Sequence, residues 1–112
     1  MQSCVKEAGA PLRAIGFESE VAVCYLGMND ASTSLRILQV AERASFECGA
    51  MHLYQIILAD IGNVYLHQGE HWTAIFYYQR ALSLAKEMKD PVKVANWTSN
   101  IRLAYAKLVE RR

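Results

Sequence analysis

The most regular part of the sequence is residues 51–90, MHLYQIILADIGNVYLHQGEHWTAIFYYQRALSLAKEMKD. Apolar residues recur at three- and four-residue spacing from 53 to 66 and again from 74 to 88, which predicts two amphipathic helices. Gly69 interrupts the pattern, and glycine can take the left-handed conformation that ends a helix. Asp90 and Pro91 then predict an N-cap and the first turn of a following helix. Residues 51–90 are therefore expected to form a helical hairpin followed directly by another helix.

The same pattern returns when residues 51–90 are aligned with 11–50 and with 91–112, which indicates an internal repeat. The equivalent sets are Val21, Ile61 and Ile101; Tyr25, Tyr65 and Tyr105; Leu38 and Tyr78; and Ala41 and Ala81. The repeat predicts an all-α chain of five helices at about 11–28, 31–48, 51–68, 71–88 and 91–109. We interpret residues 1–112 as one domain, with repeat 1 at 11–50, repeat 2 at 51–90 and the first helix of repeat 3 at 91–112. Residues 1–10 would be the end of a preceding helix or disordered.

Two spaced motifs in the central repeat resemble a known family. They are Leu58-x2-Ile61-Gly62-x2-Tyr65 and Ala74-x3-Tyr78-x2-Ala81, and they are similar to the tetratricopeptide repeat (TPR) pattern. The period of about 40 exceeds the usual 34, so the resemblance is to the long-repeat variety. It implies a right-handed α-solenoid of antiparallel hairpins, in which Gly62 allows close helix approach and Tyr78 packs between units. The implied function is a protein–protein interaction scaffold without catalysis.

The resemblance also implies where a partner would bind, because the first helix of each TPR hairpin lines a concave groove. Helical phase counted from the motif selects one face of each such helix. The candidate groove residues are Ile56, Asp60, Asn63, His67, Asn96, Asn100, Leu103 and Lys107. Asn63 and Asn100 carry amides that both donate to and accept from a peptide backbone, although solvated polar positions would give the same pattern. Ala59 stands where one subtype carries a lysine of its carboxylate clamp, so an amphipathic helix or an uncharged extended segment fits the groove better.

Composition and motifs narrow the function classes. The 112 residues carry a formal net charge of +1, which argues against a dedicated nucleic-acid binder. A helical-repeat RNA-binding module remains the alternative, since Tyr77 and Tyr78 beside Trp72 could stack on bases, but interhelix packing explains them better. No catalytic fingerprint is present, so we predict no enzyme activity and no cofactor. His67 and His71 are expected to point apart across the turn at Gly69, which disfavours a metal site.

Targeting and cysteine content favour a cytoplasmic protein. The sequence shows no signal peptide and no membrane-spanning run. Cys4, Cys24 and Cys48 have no CxxC spacing, so reduced cysteines are expected in place of a disulfide framework.

The last predicted helix is apolar on all sides, with Trp97, Leu103, Tyr105 and Val109 distributed around it. Arg102 stands at the position equivalent to Gly62, so close hairpin packing there is not expected. A solenoid end normally carries a polar face. We therefore expect either a piece of a longer array or a homo-oligomer formed through this helix.

Overall fold

The computed structural model describes residue 27 and residues 30–110. These residues form four α-helices and no strand: α1 is Ala31–Glu47, α2 is Met51–His67, α3 is His71–Glu87 and α4 is Pro91–Glu110. Four of the five predicted helices are thus confirmed, each to within one residue at either end. The fifth, 11–28, lies outside the described residues except for Gly27.

The turns between the helices share one geometry. The helices start at positions 31, 51, 71 and 91, so their starts are evenly spaced along the chain. Each turn has a residue with positive φ two positions after the last helical residue: Gly49 at 73°, Gly69 at 83° and Lys89 at 55°. The paired hydrogen bonds of a Schellman motif close each helix, including Ala50 N to Ser45 O at 2.9 Å, Glu70 N to Tyr65 O at 2.8 Å and Asp90 N to Ala85 O at 3.0 Å.

Aspartates cap the N-termini of α1 and α4. The Asp30 carboxylate accepts a hydrogen bond from the Thr33 N–H at 3.2 Å, and Asp90 accepts one from the Lys93 N–H at 3.2 Å. The predicted N-cap at Asp90 is therefore confirmed. Neither Ala50 nor Glu70 forms a side-chain cap, so α2 and α3 depend more on tertiary packing.

The core consists of two clusters joined by α2. The first lies between α2, α3 and α4 and contains Tyr54, Leu58, Ala59, Ala74, Ile75, Tyr78, Ala81, Ala85, Trp97 and Ala104. The second lies between α1 and α2 and contains Leu38, Ala41, Ile57, Ile61 and Val64. Eight residues of α2 are buried, but only Trp97 and Ala104 of α4. The centre of the described chain is therefore covered on several sides, whereas α4 is covered on one.

Gly62 marks the closest approach of α2 to α3. A Cβ atom built on Gly62 would lie 2.8 Å from Cε1 of Tyr78 and 3.2 Å from the backbone oxygen of Ala74. The predicted role of Gly62 in close helix approach is confirmed. Arg102, at the equivalent position of α4, is exposed.

Cys48 directly follows α1 and is disulfide-bonded. The expectation of reduced cysteines is therefore wrong at this position, while Cys4 and Cys24 lie outside the described residues.

Within the described part of the chain, no helix combines the length and the apolar character needed to cross a membrane.

Candidate functional site

The candidate groove residues occupy matching positions on α2 and α4. On each helix they follow the spacing i, i+4, i+7, i+11, which places them along one face. Ile56, Asp60 and Asn100 are half-buried. The exposed members are Asn63, His67, Asn96, Leu103 and Lys107.

A cavity of about 660 Å³ lies where this face of α2 meets the C-terminal part of α4. It is lined by Asn63, Leu66, His67, Gly69, His71, Lys107 and Glu110. Three of the eight candidate residues, Asn63, His67 and Lys107, are thus brought together. The other candidates, Ile56, Asp60, Asn96, Asn100 and Leu103, do not line this cavity, and Ile56 packs against the first core cluster.

Asn63 is positioned by α3. Its Oδ1 atom accepts a hydrogen bond from the Tyr78 hydroxyl, and the Tyr78 side chain is only 1% exposed. The acceptor side of the Asn63 amide is therefore engaged inside the protein, which leaves its NH2 group as the donor at the exposed surface. The sequence pattern placed Asn63 on the groove face but did not indicate this link to the core.

The environment of Tyr78 keeps this hydrogen bond in place over a wide pH range. Burial raises the pKa of Tyr78 to about 12, with the negative charge of Asp60 acting in the same direction. Because the neutral phenol is the favoured form, Tyr78 remains a donor to Asn63 at neutral pH.

The two histidines on either side of the turn at Gly69 differ in exposure. His71 is buried and His67 is exposed, and both belong to the lining of the cavity. Among the described residues there is no cluster of three or more His, Cys, Asp or Glu side chains that would hold a metal ion.

A buried polar contact that the sequence did not reveal joins the two groove helices. Gln55 of α2 is fully buried, and its Oε1 accepts a hydrogen bond of 2.9 Å from Nε1 of Trp97 in α4. Its Nε2 lies 3.5 Å from the Met88 sulfur. A buried indole N–H needs a partner, so this pair fixes α4 relative to α2.

Two of the three aromatic residues that suggested base stacking, Tyr77 and Tyr78, pack against other side chains of the protein. Tyr78 is buried, and Tyr77 stacks on Tyr65 with ring centroids 5.8 Å apart. Arg80 lies 5.6 Å from the Tyr77 ring centroid and donates a hydrogen bond of 2.8 Å to the Tyr54 hydroxyl. Arg80 also reaches Glu42 of α1 at 3.9 Å, so this network connects α1, α2 and α3.

Trp72 differs from the two tyrosines. It is 64% exposed and meets the edge of Tyr105 in α4, with ring centroids 6.0 Å apart. It therefore extends an exposed apolar surface from α3 onto α4.

A comparison with protein-family models found no match, and a comparison with curated protein sequences found no relative. The function is therefore inferred from the residues of this chain alone.

Proposed function

We propose that this chain is a TPR-like α-solenoid module that binds a peptide or helical segment of a partner protein against α2 and α4. The single observation that carries the proposal is the cavity that brings Asn63, His67 and Lys107 together.

The architecture supports the solenoid part of the proposal. The extensive helix contacts join consecutive helices: α1 with α2, α2 with α3, and α3 with α4. The turns recur at even spacing along the chain, and α2 approaches α3 closely at Gly62, as the resemblance implies for a TPR hairpin. Nearest-neighbour packing of this kind is typical of repeat proteins.

The chemistry of the cavity supports a peptide as the ligand. The Asn63 amide and the Lys107 ammonium are donors, the Glu110 carboxylate is an acceptor, and Leu66 adds apolar surface. A peptide backbone presents carbonyl acceptors and N–H donors beside apolar side chains, so it complements all three kinds of group.

Binding is tested by selecting ligands from a library of random linear peptides and measuring their affinity for single variants. Lys107→Ala is expected to weaken the selected peptides about fivefold or more, whereas Lys86→Ala, an exposed lysine of α3 outside the cavity, serves as the matched control. Asn63→Asp keeps an oxygen acceptor for Tyr78 but removes the NH2 donor, so it is also expected to weaken binding while far-UV circular dichroism stays unchanged.

Two results would overturn the proposal. One is equal affinity of the selected peptides for the unmodified chain and for Lys107→Ala. The other is the absence of peptide binding together with retention of single-stranded RNA whose affinity falls steeply with salt, which would favour a nucleic-acid module.

A further inference from the structure

The N-terminus of α3 is open where those of α1 and α4 are capped. Asp30 and Asp90 each accept a hydrogen bond from the third N–H group of the helix that follows, whereas Glu70 forms no side-chain cap on α3. The N–H groups of residues 71–73 therefore have no acceptor among the described residues, because the first turn of a helix has no intrahelical partner for them. Free N–H groups and the helix dipole favour an anion at this end.

The cavity between α2 and α4 borders this helix end. Gly69 and His71, on either side of the N-cap residue, both belong to its lining. The N-terminus of α2 has no side-chain cap either, but none of residues 51–53 lines the cavity. An open helix N-terminus and a cavity thus coincide at α3.

His71 gives independent evidence that this end of the cavity takes a ligand. Only 7% of its surface is exposed, and its side chain forms no hydrogen bond or ion pair with another described residue. Every buried side-chain nitrogen or oxygen atom in the described part of the chain has a partner, so the ring nitrogens of His71 are not closed off in the core. The space that His71 lines is the cavity, and its ring offers an N–H donor there.

Asn63 of α2 and Lys107 of α4 add two more donors to the same cavity. Because the Asn63 oxygen is engaged by the Tyr78 hydroxyl, its NH2 group is the part that remains for a ligand. Lys107 is exposed and forms no ion pair with another described residue. Three helices therefore bring donors to one place, and the site does not depend on the helix N-terminus alone.

The arrangement of these donors favours a phosphoryl group over a carboxylate. A carboxylate is planar, with two oxygen atoms and one charge, whereas a phosphorylated serine or threonine carries three strong acceptor oxygens and a charge of about −1.5 to −2 at pH 7. Donors that come from three helices surround a tetrahedral group better than a planar one. Helix N-termini and lysines are also common phosphate ligands.

We propose that Asn63, His71 and Lys107 form a phosphate site with the N-terminus of α3, and that this site holds the phosphoryl group of a phosphorylated serine or threonine in the bound peptide. The peptide as the source of this group rests on the proposed function, whereas the site itself does not. The sequence argument against a charged ligand rested on Ala59, and Ala59 does not line this cavity.

The first test is a titration of the isotope-labelled whole chain with inorganic phosphate at constant ionic strength, followed by nuclear magnetic resonance. The amide signals of residues 71–73 should shift and saturate with a dissociation constant in the millimolar range, as the small size of this probe allows. The amide signals of residues 51–53 are the internal control, because α2 also begins without a side-chain cap but away from the cavity.

Glu70→Asp separates binding from folding. The shorter side chain should cap α3 as Asp30 caps α1 and Asp90 caps α4, so the variant should unfold at a higher temperature. Its carboxylate would engage the N–H groups that phosphate needs, so phosphate binding should weaken about fivefold or more at unchanged net charge. Glu70→Gln, the matched control, removes the charge without adding a cap and should bind phosphate at least as tightly as the unmodified chain.

Side chains of the cavity should change phosphate binding in both directions. Lys107→Ala should weaken it, whereas Lys86→Ala, outside this cavity, should not. Glu110 is exposed and lines the cavity, so Glu110→Gln removes a repelling charge and should strengthen phosphate binding about two- to fivefold. A gain of affinity cannot result from a loss of folding.

The source of the phosphoryl group is tested with two libraries of random peptides that differ at one fixed position, phosphoserine in one and serine in the other. The unmodified chain should bind the phosphoserine peptides about tenfold more tightly. This preference should be lost in Glu70→Asp and in Lys107→Ala.

An absence of saturable shifts at residues 71–73, or shifts that Glu70→Asp leaves unchanged, overturns the phosphate site even where unphosphorylated peptides bind. Phosphate binding without a preference for phosphoserine peptides overturns the peptide as the source and assigns the site to free phosphate. Loss of all peptide binding with the phosphate shifts retained would refute the proposed function, and the peptide source with it, while the phosphate site would stand.

Discussion

Gly62→Ala is the sharpest test of the packing between α2 and α3. The added Cβ would lie 2.8 Å from Cε1 and 3.0 Å from Cδ1 of Tyr78, whereas carbon atoms pack best at about 3.5–4.0 Å. Tyr78 is buried and hydrogen-bonded to Asn63, and the backbone oxygen of Ala74, in the same helix as Tyr78, would lie 3.2 Å from the added Cβ. Neither neighbour can move away easily, so part of the hairpin must shift.

The magnitude follows from two opposing effects. Alanine is favoured over glycine inside a helix by about 1 kcal/mol, whereas overpacking a well-packed core costs about 1–3 kcal/mol. Because one of the close atoms belongs to the backbone, the cost is expected near the upper end of that range. The net loss in free energy of unfolding is then about 1–2 kcal/mol, or a fall in Tm of about 5–10 °C for a chain of this size.

Thermal and denaturant unfolding followed by circular dichroism measure this loss. Gly27→Ala is the matched control, since no heavy atom of the described residues lies within 4 Å of a Cβ built there, and it should leave stability unchanged or raise it. In a Tyr78→Leu background, which lacks the Cε1 atom, Gly62→Ala should cost less. If Gly62→Ala proves as harmless as Gly27→Ala, the two helices are not closely apposed and overpacking is the wrong description of this contact.

Three further outcomes are expected. Lys89→Gly should stabilise the chain by about 1 kcal/mol, because a left-handed φ of 55° is strained for lysine. Gly69→Lys should destabilise it for the same reason. Equal denaturation midpoints for the two variants would show that the left-handed conformation at these turns does not affect stability. The raised pKa of Tyr78 means that the folded state holds its proton more tightly than the unfolded state, so this contribution to stability is complete below about pH 10 and is lost as the pH rises toward 12. Tyr78→Phe should flatten that alkaline decline, measured as urea midpoints across this range. Gln55→Leu should leave the buried Trp97 N–H without its acceptor and destabilise the chain by about 1–3 kcal/mol. In urea unfolding, Gln55→Leu combined with Trp97→Phe should destabilise the chain by less than the sum of the two single changes.

The helices were predictable because their signals are local. Gly69 and the Asp90-Pro91 pair mark helix ends without reference to the rest of the chain, and the internal repeat applies the same signals to the less regular units. The close approach of α2 and α3 at Gly62 could also be predicted, because the motif of small and large residues around Gly62 is visible in the sequence.

The candidate site was less predictable because it depends on contacts between distant residues. Helical phase placed Asn63, His67 and Lys107 on faces that meet at one cavity, but it could not show that Asn63 is held by Tyr78. Gln55 gave no signal, because a polar residue in an apolar helix is read as solvated until its partner Trp97, 42 positions later, is placed beside it.

The hydrogen bond between Tyr78 and Asn63 limits how the proposed binding cavity can be altered. Asn63 lines the cavity, but its orientation is set by a ring that also lies against Gly62, so a new side chain at position 63 would have to repack the hairpin as well as recognise a ligand. Lys107, by contrast, is exposed on α4. If the cavity binds a peptide as proposed, changes of ligand preference, by evolution or by design, are expected to accumulate at Lys107 while Asn63, Tyr78 and Gly62 vary together as one unit.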